Sequence, residues 1–215
     1  MGLNRGQTNC YSQPRPMVRV HAMIMRMELI TERLTLRAYL PTDLKDVHEF
    51  ASDPEVCAQS EWGPNSIDES QTFIAQCIAE GIQTPRMTWT FAITRAGKVI
   101  GSIALMCEES DLVRQAGDAE VGYVLHQDAW GQGLATEAAG AVLRWAQQEL
   151  GITRLVATCR PENIGSVRVL EKLGLSQIGY LVGDKIIDGV ARDSLLFESQ
   201  SLETGEPEQR EQTLI

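Results

Sequence analysis

The stretch Trp130-Gly131-Gln132-Gly133-Leu134-Ala135-Thr136-Glu137-Ala138 joins an apolar, strand-like run, Ala119 to Leu125, to a helical pattern from Leu134 to Glu149. Glycines and small residues at such a junction let the backbone approach an anion while the first N–H groups of the helix are still unpaired. The helix macrodipole adds positive potential at the same point. Gly131, Gln132, Gly133, Leu134, Ala135 and Thr136 can therefore cradle a diphosphate with no lysine or arginine in the loop. The plainer reading of the glycines is turn chemistry. A P-loop would require Gly-Lys-Ser/Thr after the glycines. A dinucleotide fingerprint would require an acidic residue about twenty positions on, where this chain reads Ile152-Thr153-Arg154. A ligand held by its diphosphate without a dinucleotide code remains, and coenzyme A is such a ligand.

Further motifs stand in order around this loop: Leu34-Thr35-Leu36-Arg37 with Asp43 upstream, and Asn163-Ile164-Gly165-Ser166 and Leu170-Glu171-Lys172-Leu173-Gly174 downstream. With Ala119-Glu120-Val121-Gly122-Tyr123-Val124-Leu125 and the loop, they resemble the GNAT superfamily of N-acetyltransferases. Within it they are most similar to the RimJ/RimL-type branch of ribosomal-protein N-terminal acetyltransferases, over roughly residues 28 to 199. The resemblance implies an α/β fold in which helices flank a central, mostly antiparallel sheet with one splayed parallel pair. It also implies transfer of acetyl from acetyl-CoA to a primary amine by direct attack, with no metal. It assigns Glu120 as general base, and the backbone of Tyr123, Val124 and Leu125 to the pantetheine amides and the thioester oxygen. Asn163 then bonds the pantetheine arm or CoA, and Ser166 sits near the sulfur. The chain departs from the superfamily pattern twice. Trp130 stands where many members carry Gln or Arg, and Leu170 where many carry a tyrosine general acid.

The chemistry makes its own demands on these residues. A lysine-type amine has a pKa of about 10.4 and an N-terminal amine about 8, so both are largely protonated near neutrality, and only the neutral amine attacks. Glu120 meets that demand if its carboxylate faces a cleft; otherwise it is a solvent-exposed strand-end glutamate. Ser166 lies one helical turn from Asn163 and on the same face, while Asn163 is equally well explained as a helix N-cap. With Leu170 in the tyrosine place, Ser166 is the hydroxyl positioned to protonate the leaving group. A thiol with pKa near 8.5 leaves readily as thiolate in any case. Trp62, in a loop between Glu61 and Gly63-Pro64, is a candidate for the acceptor pocket. Glu137 reads as a helix-face residue favoured by the N-terminal dipole, and Trp89 and Trp145 as core. His21, His48 and His126 lack metal-ligand spacing.

A helix is expected from Pro41 through Ser52, capped by Thr42 or Asp43 and ended by Asp53-Pro54, with a second after the capping box Ser66-Ile67-Asp68-Glu69. A hairpin turning at Ala96-Gly97-Lys98 and a third antiparallel strand, Glu120 to Leu125, precede the cradle helix. After it come a parallel strand, Arg154 to Cys159, a helix closed by Gly174, and a final hairpin with Asp184 to Asp188 in its loop. Residues 1–27 and the acidic tail 200–215 lack any apolar period and read as loosely attached or disordered around one domain, 28–199. Among 215 residues, 43% hydrophobic and 22% charged suit one enzyme-sized domain. The formal net charge of −10 disfavours nucleic acid and favours cationic partners. Five cysteines without paired spacing, and no apolar run long enough for a membrane, place the protein in the cytoplasm. The expected partners are the amine acceptor, a small molecule or a protein N-terminus, and at most a second copy in a homodimer. The rival reading is a catalytically silent CoA-binding sensor or interaction module, kept open by Leu170.

Overall fold

The computed structural model describes residues 27–199 apart from 59, 109 and 188. Its strands are β1 (Glu28–Ile30), β2 (Thr35–Arg37), β3 (Thr88–Arg95), β4 (Lys98–Met106), β5 (Asp118–Leu125), β6 (Arg154–Cys159), β7 (Leu175–Ile187) and β8 (Val190–Ser199). The helices are α1 (Leu44–Ala51), α2 (Pro54–Cys57), α3 (Ile67–Gly81), α4 (Leu134–Trp145) and α5 (Ile164–Lys172). One mixed sheet runs β1-β2-β3-β4-β5-β6-β8-β7, antiparallel throughout except for the parallel pair β5/β6. The expectations for residues 1–26 and 200–215 lie outside the described residues. No helix among the described residues is long and apolar enough to cross a membrane.

Alternation along the strands builds two cores. Phe91, Ile93, Ile103, Leu105, Ala119 and Val121 turn to one face and pack on Leu134, Ala138, Ala139 and Val142 of α4 and Leu170 of α5. Ala92, Val99 and Val124 turn to the other, against Val47 and Phe50 of α1 and Ile74 and Cys77 of α3. Each such aliphatic side chain contributes on the order of 1.5–3 kcal/mol by leaving water. Trp145 meets Trp89 edge-on at 4.9 Å and Phe91 at 5.6 Å, so both tryptophans belong to the first core's margin as expected.

Local chemistry sets the element ends, with some departures from expectation. Ser66 and Glu69 do form a reciprocal capping box, Ser66 N–H reaching Glu69 Oε2 at 2.7 Å. Asp43 does not cap α1 with its side chain: the carboxylate turns back to accept Leu40 N–H at 2.8 Å and to pair with both terminal nitrogens of Arg37. That ion pair ties β2 to the turn before α1. Asp53 does more than end α1, since it also caps a further short helix, α2. The long helical pattern after the cradle is α-helical to Trp145 and continues as a π turn, Ala146–Leu150, to Gly151. The β3–β4 hairpin turns on Ala96 and Gly97, both with positive φ (49° and 81°), the mirror-image turn that matches strand twist. Glycine bears that conformation freely, whereas an alanine there costs roughly 1 kcal/mol.

Candidate active site

The loop expected to hold a diphosphate has the backbone shape that role requires. Gly131 and Gly133 have φ of 71° and 74°, and Gly133 is the N-cap of α4 without any side-chain cap. Both glycines are demanded by left-handed backbone and not by crowding: a Cβ on Gly131 would meet nothing within 4 Å, and one on Gly133 only Arg33 Nη2 at 3.7 Å. The N–H groups of Leu134, Ala135 and Thr136 are the unpaired donors of the first helical turn. Leu134 contributes only backbone, because its side chain is buried in the core.

Side chains from elsewhere brace the loop. Glu137, expected as a plain helix-face residue, accepts Thr31 Oγ1–H, the Arg33 backbone N–H at 2.9 Å and Arg33 Nε–H at 2.6 Å. Burial alone would raise its carboxyl, but the bonds from Thr31 and Arg33 hold it below the usual glutamate range. Arg33 Nη1 also donates to Gln132 O at 2.9 Å. The Gln132 amide is gripped at both ends: its Nε2 donates to Asp128 O at 2.6 Å and its Oε1 accepts from Arg95 Nη1 at 2.9 Å. Trp130 is 44% exposed, and its indole N–H bonds Leu125 O at 2.9 Å.

Below the loop the sheet opens. β5 keeps its antiparallel partner β4 as far as Leu125 opposite Gly101, but its parallel pairing with β6 stops at Glu120 opposite Val156. β6 runs on to Cys159 along β8 instead. From Val121 to Leu125 the β6-facing edge of β5 therefore has no strand beside it, which is the expected splay. Across the gap stands the start of α5. Asn163 Oδ1 accepts Ser166 N–H at 3.0 Å, so the N-cap role is real and leaves the Asn163 amide N–H₂ free of it. Ser166 is half-buried, and Tyr123 Oη–H donates to its carbonyl at 3.3 Å. Ser166 is thus not the only hydroxyl at this place: Tyr123 brings a second, from a residue expected to supply backbone alone. Burial raises that phenol strongly, so it stays protonated and a donor. Leu170 is 1% exposed and packs in the core. Burial pushes the Cys159 thiol up to about 11 and leaves it unreactive.

Glu120 alternates with Ala119 and Val121, which face α4, so it faces the α1/α3 side of the sheet with Val124. Glu120 and α4, the helix that starts from the cradle, lie on opposite faces of the sheet, and β5/β6 pairing ends at Glu120. Burial lifts the Glu120 carboxyl above its ordinary value; Lys185 pulls it back, and Glu61 and Asp184 push it further up. Lys185 Nζ lies 3.3 Å from Glu61 Oε1, and Asp184 Oδ2 is buried without a hydrogen-bond partner. Asp184 and Lys185 were expected in a hairpin loop. They lie within β7, where the register against β8 shifts between Leu181 and Lys185. Asp193 pins this bulge, accepting Gly183 N–H at 2.8 Å and Tyr180 Oη–H at 2.6 Å. Trp62 is 40% exposed, one residue beyond Glu61. Among the described residues no cluster of His, Cys, Asp and Glu could hold a metal. His126 and His48 are engaged with the Asp128 backbone N–H and Ser70 Oγ. His21 lies outside the described residues. The four described cysteines are unpaired.

The acetyltransferase (GNAT) domain family matches residues 33–176. An uncharacterized N-acetyltransferase, YnaD, of Bacillus subtilis is 27% identical over 156 residues, 72% of this chain and 85% of its own length. The [ribosomal protein uS5]-alanine N-acetyltransferase of Escherichia coli is 37% identical over 76 residues, 35% of this chain and 39% of its own. Among solved structures, the microcin C7 self-immunity acetyltransferase MccE, in complex with acetyl-CoA and AMP, superposes with a TM-score of 0.69 at 19% identity. The match covers 79% of this chain and 93% of MccE. The family match spans the cradle, the splayed strands and α5, and the chain therefore belongs to the GNAT acetyltransferases.

Proposed function

We propose that the protein transfers acetyl from acetyl-CoA to a primary amine, with Glu120 as the base. The observation that carries this reading is the end of β5/β6 pairing at Glu120, at the far end of the strand that leads to the braced loop. From there β5 runs unpaired on its β6 side to Leu125, toward the braced loop, and Glu120 at its start carries a raised carboxyl. From Glu120 to Leu125, β5 extends about 16 Å at roughly 3.3 Å per residue, a span suited to a pantetheine arm running from diphosphate to thioester. MccE, of the same fold, holds acetyl-CoA.

The steps follow from the groups present. The acceptor enters as ammonium, and Glu120 takes its proton directly or through water; a carboxyl raised by burial is better matched to that task than an ordinary one. The neutral nitrogen attacks the thioester carbonyl carbon, and the oxyanion that forms is met by free N–H groups of Val121 to Leu125. Fixed donors of this kind are typically worth about 3–4 kcal/mol. The C–S bond then breaks with its electron pair leaving on sulfur; the second proton of the attacking nitrogen is lost as the amide forms and reaches the thiolate through the Ser166 or Tyr123 hydroxyl or through water, so no hydroxyl is left ionised. No covalent enzyme intermediate is required.

The acceptor is a cationic amine, a protein N-terminus or a small molecule, drawn by Glu61 and Asp184 as well as Glu120. Trp62 supplies an apolar wall. Among similar proteins, the [ribosomal protein uS5]-alanine enzyme acts on a protein alanine, and MccE is found in complex with acetyl-CoA and AMP. Residues 28–199 form the catalytic unit, working in the cytoplasm as monomer or homodimer without nucleic acid. A silent CoA-binding module would have no use for a base in this position. Thiol release from acetyl-CoA with a panel of amines tests the reading: turnover with an amine supports it, and binding of acetyl-CoA with no turnover on any amine overturns it.

A further inference from the structure

The loop lacks the side chain that many related proteins place three residues before its second glycine, since Trp130 cannot carry charge and spends its N–H on Leu125 O. Three cations from other elements come near the loop or its neighbours. Arg33 is neutralised by Glu137, with Nη2 and Oε2 2.6 Å apart. Lys98, opposite Arg95 in the β3–β4 register, is neutralised by Glu49 at 2.6 Å. Arg95 differs from both. Among the described residues its guanidinium pairs with no carboxylate, and its one side-chain bond is to the neutral Gln132 amide, at 2.9 Å. It is exposed, at the end of β3, and Gln132 is in turn fixed to Asp128 O.

We infer that Arg95 is the cationic contact of the cradle, tethered by Gln132 so that its remaining N–H groups meet the diphosphate of CoA. The loop then supplies directed backbone donors with no net charge, and a residue 36 positions upstream of Gly131 supplies the charge. A planar guanidinium suits this task, because one N–H can hold Gln132 while others bond phosphate oxygens. This inference rests on acetyl-CoA being the donor.

The test compares Arg95→Gln with the unaltered protein in three thioesters: acetyl-CoA, acetyl-3′-dephospho-CoA and acetyl-pantetheine. The substitution is at an exposed strand end and should leave the melting temperature unchanged. At low ionic strength the KM for acetyl-CoA should rise about ten-fold, the scale of one charge-assisted hydrogen bond, with kcat nearly constant. The difference should shrink as salt is added, because the lost interaction is between charges near the surface. It should persist with the 3′-dephospho compound and vanish with acetyl-pantetheine, which has no diphosphate. An unchanged KM for acetyl-CoA, or a penalty that survives in acetyl-pantetheine, overturns the assignment while leaving the donor reading intact. A penalty lost with the 3′-phosphate overturns the diphosphate contact. Failure of the unaltered protein to use acetyl-CoA overturns the donor reading itself.

Discussion

The two ends of the unpaired β5 edge are built in different ways. At the cradle end the backbone shape comes from adjacent residues, two glycines with left-handed backbone at a strand-to-helix junction, and Thr31, Arg33 and Arg95 brace it from outside. At the Glu120 end the environment is assembled from three distant segments: the strand that carries Glu120, the loop with Glu61 and Trp62, and the β7 bulge with Asp184 and Lys185. The first end suits a donor that is always the same molecule. The second can be altered by changing a loop or a bulge without touching the sheet, as a variable acceptor would require.

This contrast can be broken from either side. The largest effect should come from Glu120→Gln, which keeps the shape and removes the base: turnover should fall about 10²–10⁴-fold while the affinity for acetyl-CoA stays within a few-fold. Gly133→Val, at φ 74°, attacks the other end. A β-branched residue is strained there and its side chain would grow toward Arg33 Nη2, 3.7 Å from a Cβ at this position, disturbing the brace, so calorimetric titration should show acetyl-CoA affinity lowered well over ten-fold, on the order of 1.4 kcal/mol or more. Unchanged affinity in that folded variant would place the diphosphate elsewhere.

Smaller changes sharpen the electrostatics of the acceptor end. Lys185 favours ionised Glu120, so Lys185→Met should move the acid limb of kcat/KM to higher pH. Glu61→Gln removes a carboxylate that opposes ionisation and should move it lower. Opposite displacements in the two pH–rate profiles would show that these side chains act through Glu120, whereas parallel displacements would show that they do not. The smallest effect is expected at the ends of the chain: trimming to residues 25–201 should leave melting temperature and acetyl-CoA affinity as they are, and a loss of several degrees would count against 28–199 as the whole catalytic unit.

Much of the donor side was legible in the sequence, because its signals are short-range. Gly131 and Gly133 announce left-handed backbone at the helix start, and Asn163 with Ser166 three residues on announces a cap. Alternation in Ala119 to Leu125 announces a strand with two faces. Contacts between residues far apart were not legible. Glu137 looked like an ordinary helix-face residue because Thr31 and Arg33, more than a hundred positions away, had no visible relation to it. Asp43 looked like a cap because its true partner, Arg37, lies behind it in the chain. Tyr123 was read for its backbone alone, since nothing local says that its hydroxyl reaches α5. The β7 bulge was missed because the polar run Gly183-Asp184-Lys185 resembles a loop, and only Asp193 on the neighbouring strand makes it part of the sheet. Such bulges tend to gather beside active sites for the same reason they escape sequence patterns: they break the period.

The central claim is that Glu120, raised by burial at the mouth of the splay, frees the acceptor amine. The most direct measurement is the pH dependence of kcat/KM for one amine acceptor in the unaltered protein and in Glu120→Gln. The account predicts an acid limb above the ordinary glutamate range in the first. In the variant that limb should be replaced by a low rate that climbs with pH as the amine itself loses its proton. A variant that keeps both the rate and the profile of the unaltered protein would contradict it.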